Sequence, residues 1–207
     1  MYPRLLQKAI QRNCFKGKAV ILAGARQTGK TTLAKQLVQD MGFTSQTRFF
    51  NCDNPTDREL LNNKDIEFLV QLIGNAKVVI IDEGQKVSTI GQTTKLLVDY
   101  YKTKVQVVVT GSSSFHLLRG TEEALTGRKF VYTLFPLSLE EISQSTDPLT
   151  VTKQIDQWLM FGLYPDVVQQ NSFADKKEVL RNLTSSYLYK DIFEFYQIKH
   201  PDVLVQL

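Results

Sequence analysis

The sequence predicts an α/β protein built on a parallel sheet, and three observations carry that reading. Short apolar runs recur along the first 135 residues, the clearest being Ala19–Ala23, Val78–Ile81 and Val105–Thr110. Segments with apolar residues at helical spacing separate these runs, and strands alternating with helices of this length are the signature of βαβ units around a parallel sheet. From about residue 138 the strand signal ends and only helical patterns follow.

The elements follow in order. Ala19–Ala23, bounded by Lys18 and Gly24, has the continuous apolar character of a strand buried on both faces. Residues 31–41 place apolar side chains at 33, 34, 37, 38 and 41, the spacing of a helix, with Gly42 as its stop. Phe49–Cys52 reads as a second strand, broken by Asn54-Pro55, and residues 56–74 read as one helix ending at Gly74. Lys77–Ile81 is the third strand, residues 90–102 a helix, and Val105–Thr110 the fourth strand. A helix over 115–125 precedes a fifth strand around 129–135, closed by Pro136. Helices over 138–145, 149–161 and 174–198 complete the chain. The expected division is a core over 1–140, a helical lid or linker over 141–200, and the start of a truncated C-terminal region over 201–207.

Composition narrows the classes of function. The 207 residues suit one α/β core with a small appendage, and 22% charged residues is ordinary for a folded chain. No apolar stretch approaches the 18 or so residues of a membrane span, and the N-terminus lacks a secretory h-region. Cys14 and Cys52 form neither a metal spacing nor a disulfide framework, which points to a reducing cytoplasm. The net charge of +4 is unevenly spread: residues 1–50 hold nine bases and one acid, Asp40, while the remainder holds sixteen bases and twenty acids. The positive end therefore calls for a local anionic partner.

Gly24-Ala25-Arg26-Gln27-Thr28-Gly29-Lys30-Thr31 matches G-x-x-x-x-G-K-[ST], the Walker A pattern, between a predicted strand and a predicted helix. Glycines let backbone N–H groups turn inward onto phosphate oxygens at a helix N-terminus, where the dipole also favours anions. Lys30 would reach the β- and γ-phosphates, and the Thr31 hydroxyl would sit on Mg²⁺. Val78–Ile81 runs into Asp82-Glu83, a Walker B arrangement that places Asp82 at the carboxyl edge of the sheet, where it can hold Mg²⁺ through water. Glu83 could polarise the attacking water. At the tip of the fourth strand, Thr110 and Ser112 are both candidates to orient that water or the γ-phosphate, and the serines equally suit a helix cap. Arg128 could neutralise charge on the γ-phosphate, in cis or from a neighbouring subunit, with Arg119 a second candidate. The plain alternative for either is a surface arginine paired with a carboxylate. His116 and His200 have no matching ligand cluster.

Taken together, Gly24–Thr32, Ile80–Gln85, Val109–Ser113, Leu125–Arg128 and Phe135–Glu141 resemble a prokaryotic family of AAA+ ATPases, over roughly residues 2–205. Its members typically join this ATPase domain to a C-terminal domain of unknown function. The resemblance implies a P-loop NTPase three-layer fold of strand order 5-1-4-3-2 followed by a small helical lid. It also implies ATP rather than GTP bound by residues 24–32 (Thr32 included), a Glu83 base, a polar sensor on the fourth strand and an arginine finger at Arg128. Two departures stand out: Phe161-Gly162-Leu163-Tyr164-Pro165 where the family often has Gly-Gly-Tyr-Pro, and Gly84 where it has an aliphatic residue.

The expected function is Mg²⁺-dependent ATP hydrolysis for an unidentified client, with a homo-oligomer that supplies Arg128 in trans. A protein or DNA client would dock through the C-terminal domain expected beyond Leu207. Two rival readings stay open: an ATP-gated binding switch with negligible turnover, and a small-molecule kinase using the same loop. In the segment 174–198, Tyr189, Phe193 and Ile198 fall outside the main apolar stripe and are candidates to meet a further domain or a second subunit.

Overall fold

The computed structural model describes residues 2–111 and 124–184. Residues 115–123 of the helix expected over 115–125 and the segment beyond residue 184 lie outside them, and residues 124 and 125 form a turn. The chain divides into two compact units, residues 1–135 and 136–207.

In the first unit five strands, β1 (Ala19–Ala23), β2 (Thr47–Asn51), β3 (Val78–Asp82), β4 (Gln106–Gly111) and β5 (Lys129–Thr133), form one sheet of order β2-β3-β4-β1-β5. All four pairings are parallel, so the order is the 5-1-4-3-2 sheet expected from the resemblance. The register aligns the carboxyl ends: Ala23 lies beside Gly111 and Thr133, Ile81 beside Val109, and Asn51 beside Asp82.

The helices are α1 (Leu6–Asn13), α2 (Lys30–Asp40), α3 (Pro55–Leu61), α4 (Ile66–Ile73) and α5 (Ile90–Tyr101). Period-two alternation of the strand side chains sorts the core into two layers. Val20, Leu22, Val78, Ile80 and Val108 pack with Leu33, Ala34, Leu37 and Val38 of α2 and with Ile10 of α1. Ile21, Val79, Ile81, Val107 and Val109 pack with Leu61, Leu69, Ile73 and Leu97 of α3 to α5. Every residue of β1, β3 and β4 is buried, as central parallel strands covered on both faces require.

Two differences from the sequence reading have local causes. The helix expected over 56–74 is two helices, because Asn63 adopts a left-handed conformation (φ 53°) and Asp65 then caps α4 by accepting from the Phe68 N–H at 2.8 Å. Asn62 holds this break in place, accepting from Ser88 at 2.7 Å and Thr89 at 3.0 Å. Helix α1 has no counterpart in the sequence reading. It is tied to β5 by Tyr132, whose hydroxyl donates to the Ala9 carbonyl at 3.2 Å and accepts from Asn13 at 2.7 Å.

The second unit contains α6 (Leu139–Ser143), α7 (Pro148–Phe161), α8 (Pro165–Val168) and α9 (Phe173–Leu183). Ser138 and Glu141 form a reciprocal capping box at the start of α6. Gly162, at φ 77°, ends α7, and Pro165 opens α8 at its first position. The Gly-x-Tyr-Pro segment is thus a helix stop and restart. Only its first glycine needs the left-handed conformation, which is why Leu163 is tolerated at the second position.

Leu22 is fully buried between α2 and the sheet. Leu22→Ala is expected to cost about 2–5 kcal/mol of unfolding free energy, read from the shift of the urea transition midpoint.

Candidate functional site

The aligned carboxyl ends of β1, β3 and β4 bring together residues that are far apart in sequence. The loop after β1 is shaped by backbone that few side chains tolerate. Gln27 and Gly29 have φ of 60° and 94°, and Gly24 has φ 154°. A Cβ on Gly24 would overlap the Leu134 carbonyl, whose own N–H donates to Ala23 O at 2.7 Å. Helix α2 starts at Lys30, directly out of this loop, so the loop amides gather at a helix N-terminus. The Ala25 carbonyl accepts from the Thr28 hydroxyl at 2.9 Å and from the Lys30 ammonium at 2.8 Å, which folds the loop on itself. Lys30 is buried, Arg26 and Thr31 are half-buried, and Ala25, Gln27 and Thr32 are exposed.

Asp82 ends β3 at 7% exposure. Its carboxylate accepts from the Thr31 hydroxyl at 2.8 Å and 2.9 Å, one bond to each oxygen, and from the Thr110 hydroxyl of β4. Thr110 also accepts from the Glu83 N–H at 3.3 Å. It therefore fixes the acid pair, with its hydroxyl turned to Asp82 rather than into the loop. Ser112, the other candidate at this strand tip, lies outside the described residues, as do Arg119 and His116.

Glu83 is half-buried in a left-handed conformation (φ 54°), and its carboxylate accepts from Gln85 Nε2 at 2.5 Å. The unusual Gly84 has a direct cause. A Cβ there would lie 2.5 Å from Val109 Cγ1 and 3.4 Å from Ile90, so these two side chains fill the volume that an aliphatic residue would need. The hydroxyl of Thr31 and the carboxylate of Asp82 are hard oxygen donors already in mutual contact, a set that fits Mg²⁺.

Arg128 stands elsewhere. Its carbonyl accepts from the Ala19 N–H at 2.9 Å, and Lys129 pairs with Ala19, which puts it at the amino edge of the sheet. That is roughly 20 Å along β1 from the loop of its own chain. Its guanidinium donates to Asp99 of α5 at 2.6 Å, on the surface. An action in cis is therefore excluded by position, and the carboxylate pairing left open at the sequence level is present.

Arg4, a residue that no motif singles out, donates to the Thr28 carbonyl at 2.7 Å and to the Phe135 carbonyl at 2.5 Å. Its sequence signal is only its membership of the basic N-terminal segment. Cys52 is buried beside Asp82, whose carbonyl accepts from the Cys52 N–H at 3.0 Å. Burial pushes its thiol up to about 12, with the nearby carboxylates of Asp57 and Asp82 adding to the effect.

Comparisons with known proteins bear on the family and the fold. A family model described as an AAA domain matches residues 16–143. The chain is 27% identical over 164 residues to an uncharacterized Mycobacterium tuberculosis protein, Rv2008c, covering 79% of this chain and 34% of that one. It is 22% identical over 213 residues to the uncharacterized protein MJ1544 of Methanocaldococcus jannaschii, covering 95% of this chain and 47% of that one. The chain thus spans between a third and a half of the length of these relatives. Among solved structures, the Walker-type ATPase PABY2304 of Pyrococcus abyssi superposes with a TM-score of 0.57 at 11% identity, covering 95% of this chain and 76% of that one. The ORC1 protein of Aeropyrum pernix, solved in complex with DNA, gives 0.52 at 10% identity, covering 74% of this chain and 50% of that one. At these identities the structures establish the P-loop NTPase fold. Among the described residues no helix is long and apolar enough to cross a membrane.

The thiol of Cys52 gives a pH-dependent prediction. Thiol–disulfide reagents need thiolate, so at pH 8 Cys52 is expected to stay unlabelled in the folded chain and to label on addition of denaturant. Above pH ~9 the unfolded chain ionises this thiol and the folded chain does not, so its contribution to stability falls as pH rises from there toward about 12. Urea titrations at pH 8 and pH 10 measure the loss.

Proposed function

We propose, proceeding from the fact that the chain belongs to the AAA domain family, that it binds ATP with Mg²⁺ and hydrolyses it. The observation that carries this reading is the Asp82 carboxylate, bonded at once to Thr31 of the phosphate loop and to Thr110 of β4. Three strand ends from separate parts of the chain are built around that one acid, which is what phosphoryl transfer requires of a site that works by positioning and charge.

In this reading the amides of Gly24 to Thr32 bind the phosphates, and the Lys30 ammonium moves from the Ala25 carbonyl to the β- and γ-phosphate oxygens. Thr31 and Asp82 hold Mg²⁺, which when bound supplies neutralising charge on the phosphates. Thr110 keeps Asp82 and the Glu83 backbone fixed. Glu83 accepts the proton of the attacking water, once its carboxylate is released from Gln85. Arg128 acts from a second copy of the chain, leaving its Asp99 partner to do so. The lengths of the relatives leave room outside the matched residues for recognition of a protein or DNA client.

Two outcomes check the proposal. Lys30→Ala is expected to abolish binding in a titration with a fluorescent ATP analogue. Glu83→Gln should keep binding and lower kcat by roughly 10²–10⁴-fold. Binding unchanged by Lys30→Ala would remove the nucleotide reading, and slow hydrolysis indifferent to Glu83→Gln would favour a switch without turnover. For the subunit role, mixing Arg128→Ala with Lys30→Ala protein should restore phosphate release that neither shows alone. No recovery rules out action in trans.

A further inference from the structure

The Arg4 guanidinium joins two points of the first unit that are otherwise far apart in sequence. Its Nη1 bonds to Thr28 O across 24 residues, and its Nη2 bonds to Phe135 O across 131. The group is half-buried, and Nη1 lies 3.7 Å from where a Cβ on Gly29 would stand. Thr28 is fully buried, so its carbonyl needs a partner within the fold. In a trans peptide the C=O of one residue and the N–H of the next point in opposite directions. Holding the Thr28 carbonyl toward Arg4 therefore turns the Gly29 N–H to the far side of the peptide, away from Arg4. That amide belongs to the set assigned above to phosphate. The planar fork of arginine can serve two carbonyls with fixed geometry, whereas the compact ammonium of lysine cannot.

We propose that Arg4 is a positioning residue of the nucleotide site. It sets the Thr28–Gly29 peptide for phosphate and links it to Phe135, so that occupancy of the loop is felt where the chain leaves the first unit. Phe135 is the last residue of that unit and Pro136 the first of the next. Both rest on the nucleotide reading above, and exchange of the empty loop tests Arg4's hold on the loop apart from that reading.

The test is amide hydrogen exchange on the full chain, wild type against Arg4→Met and Arg4→Lys. Without nucleotide, exchange at Leu33, whose N–H donates to the Gly29 carbonyl at 2.9 Å, should be about tenfold faster in Arg4→Met and intermediate in Arg4→Lys, with millimolar guanidinium restoring protection in Arg4→Met. Affinity for ADP and ATP should fall together, roughly tenfold, because the lost element is preorganisation of the loop and not a contact with the γ-phosphate. MgADP should slow exchange at Leu134, Phe135 and Leu137 in wild type and leave them unchanged in Arg4→Met. Equal Leu33 exchange in wild type and Arg4→Met overturns the positioning role. Residues 134–137 that ignore MgADP in wild type overturn the link, a wild-type chain that binds no nucleotide overturns both, and neither result touches the exchange of the empty loop. If Arg4→Met loses its helical circular-dichroism signal, Arg4→Lys carries the same test, and wild-type exchange in that variant overturns the role.

Discussion

The structure depends on keeping one carboxylate satisfied at the end of a buried strand. β3 is apolar up to its last residue and lies between β2 and β4 in a sheet covered on both faces, so the acid that ends it is drawn almost wholly out of water. Charge in that setting is costly unless it is hydrogen-bonded. The bonds come from the first turn of α2 and from β4, and each imposes a demand. α2 has to begin at Lys30, close to the strand edge. β4 has to lie beside β3 in a register that puts Thr110 level with the acid. The parallel arrangement meets both demands, because it places all strand carboxyl ends on one side.

Close approach of backbone is the second constraint, and it explains the glycines that matter. Gly24 stands where β1 and the segment after β5 come together, with the Leu134 carbonyl in the space that any side chain would enter. Gly84 lets the segment after Glu83 pass against Val109 and Ile90. Val109 and Ile90 fill the volume beside position 84, and a glycine there leaves room for them.

Much of this was legible in the sequence because it is written in local signals. Apolar runs marked β1, β3 and β4, and the loop motif fixed the junction of β1 with α2. Asp82-Glu83 could be placed from the strand that precedes it. What escaped is what depends on a single residue's backbone angle or on a contact distant in sequence. Asn63 splits a segment that reads in sequence as one helix with a broken apolar face. Leu6, Ala9 and Ile10 of α1 carry a helical spacing, but the run is too short, in a segment rich in basic residues, to stand out as a helix. The strand order came from the resemblance, since alternation of strands and helices leaves several orders possible. Arg4 was invisible because a guanidinium bonded to two main-chain carbonyls has no pattern at the level of sequence.

The same point resolves the concentration of positive charge in the first fifty residues. That segment carries a charge of +8 against −4 for the rest of the chain, and taken as a sum it suggests a polyanion. Its members are dispersed in space. Arg4 and Lys30 are turned to main-chain carbonyls around the phosphate loop. Lys18 lies over Phe130 at the opposite edge of the sheet, 5.2 Å from the ring centre. Lys35 and Arg48 lie over Phe49 and Phe50 at 4.8 Å and 5.5 Å, near the β2 edge strand. Reading along a nucleic-acid backbone needs cations ranged along one face. These five are divided between the two ends of the sheet and one side, each engaged locally. The cations at the loop are three, Arg4, Arg26 and Lys30, a number that suits a compact anion such as a nucleotide polyphosphate. The charge of the segment is thus spread over several places in the fold, and the part at the loop is the part that the proposed nucleotide would face.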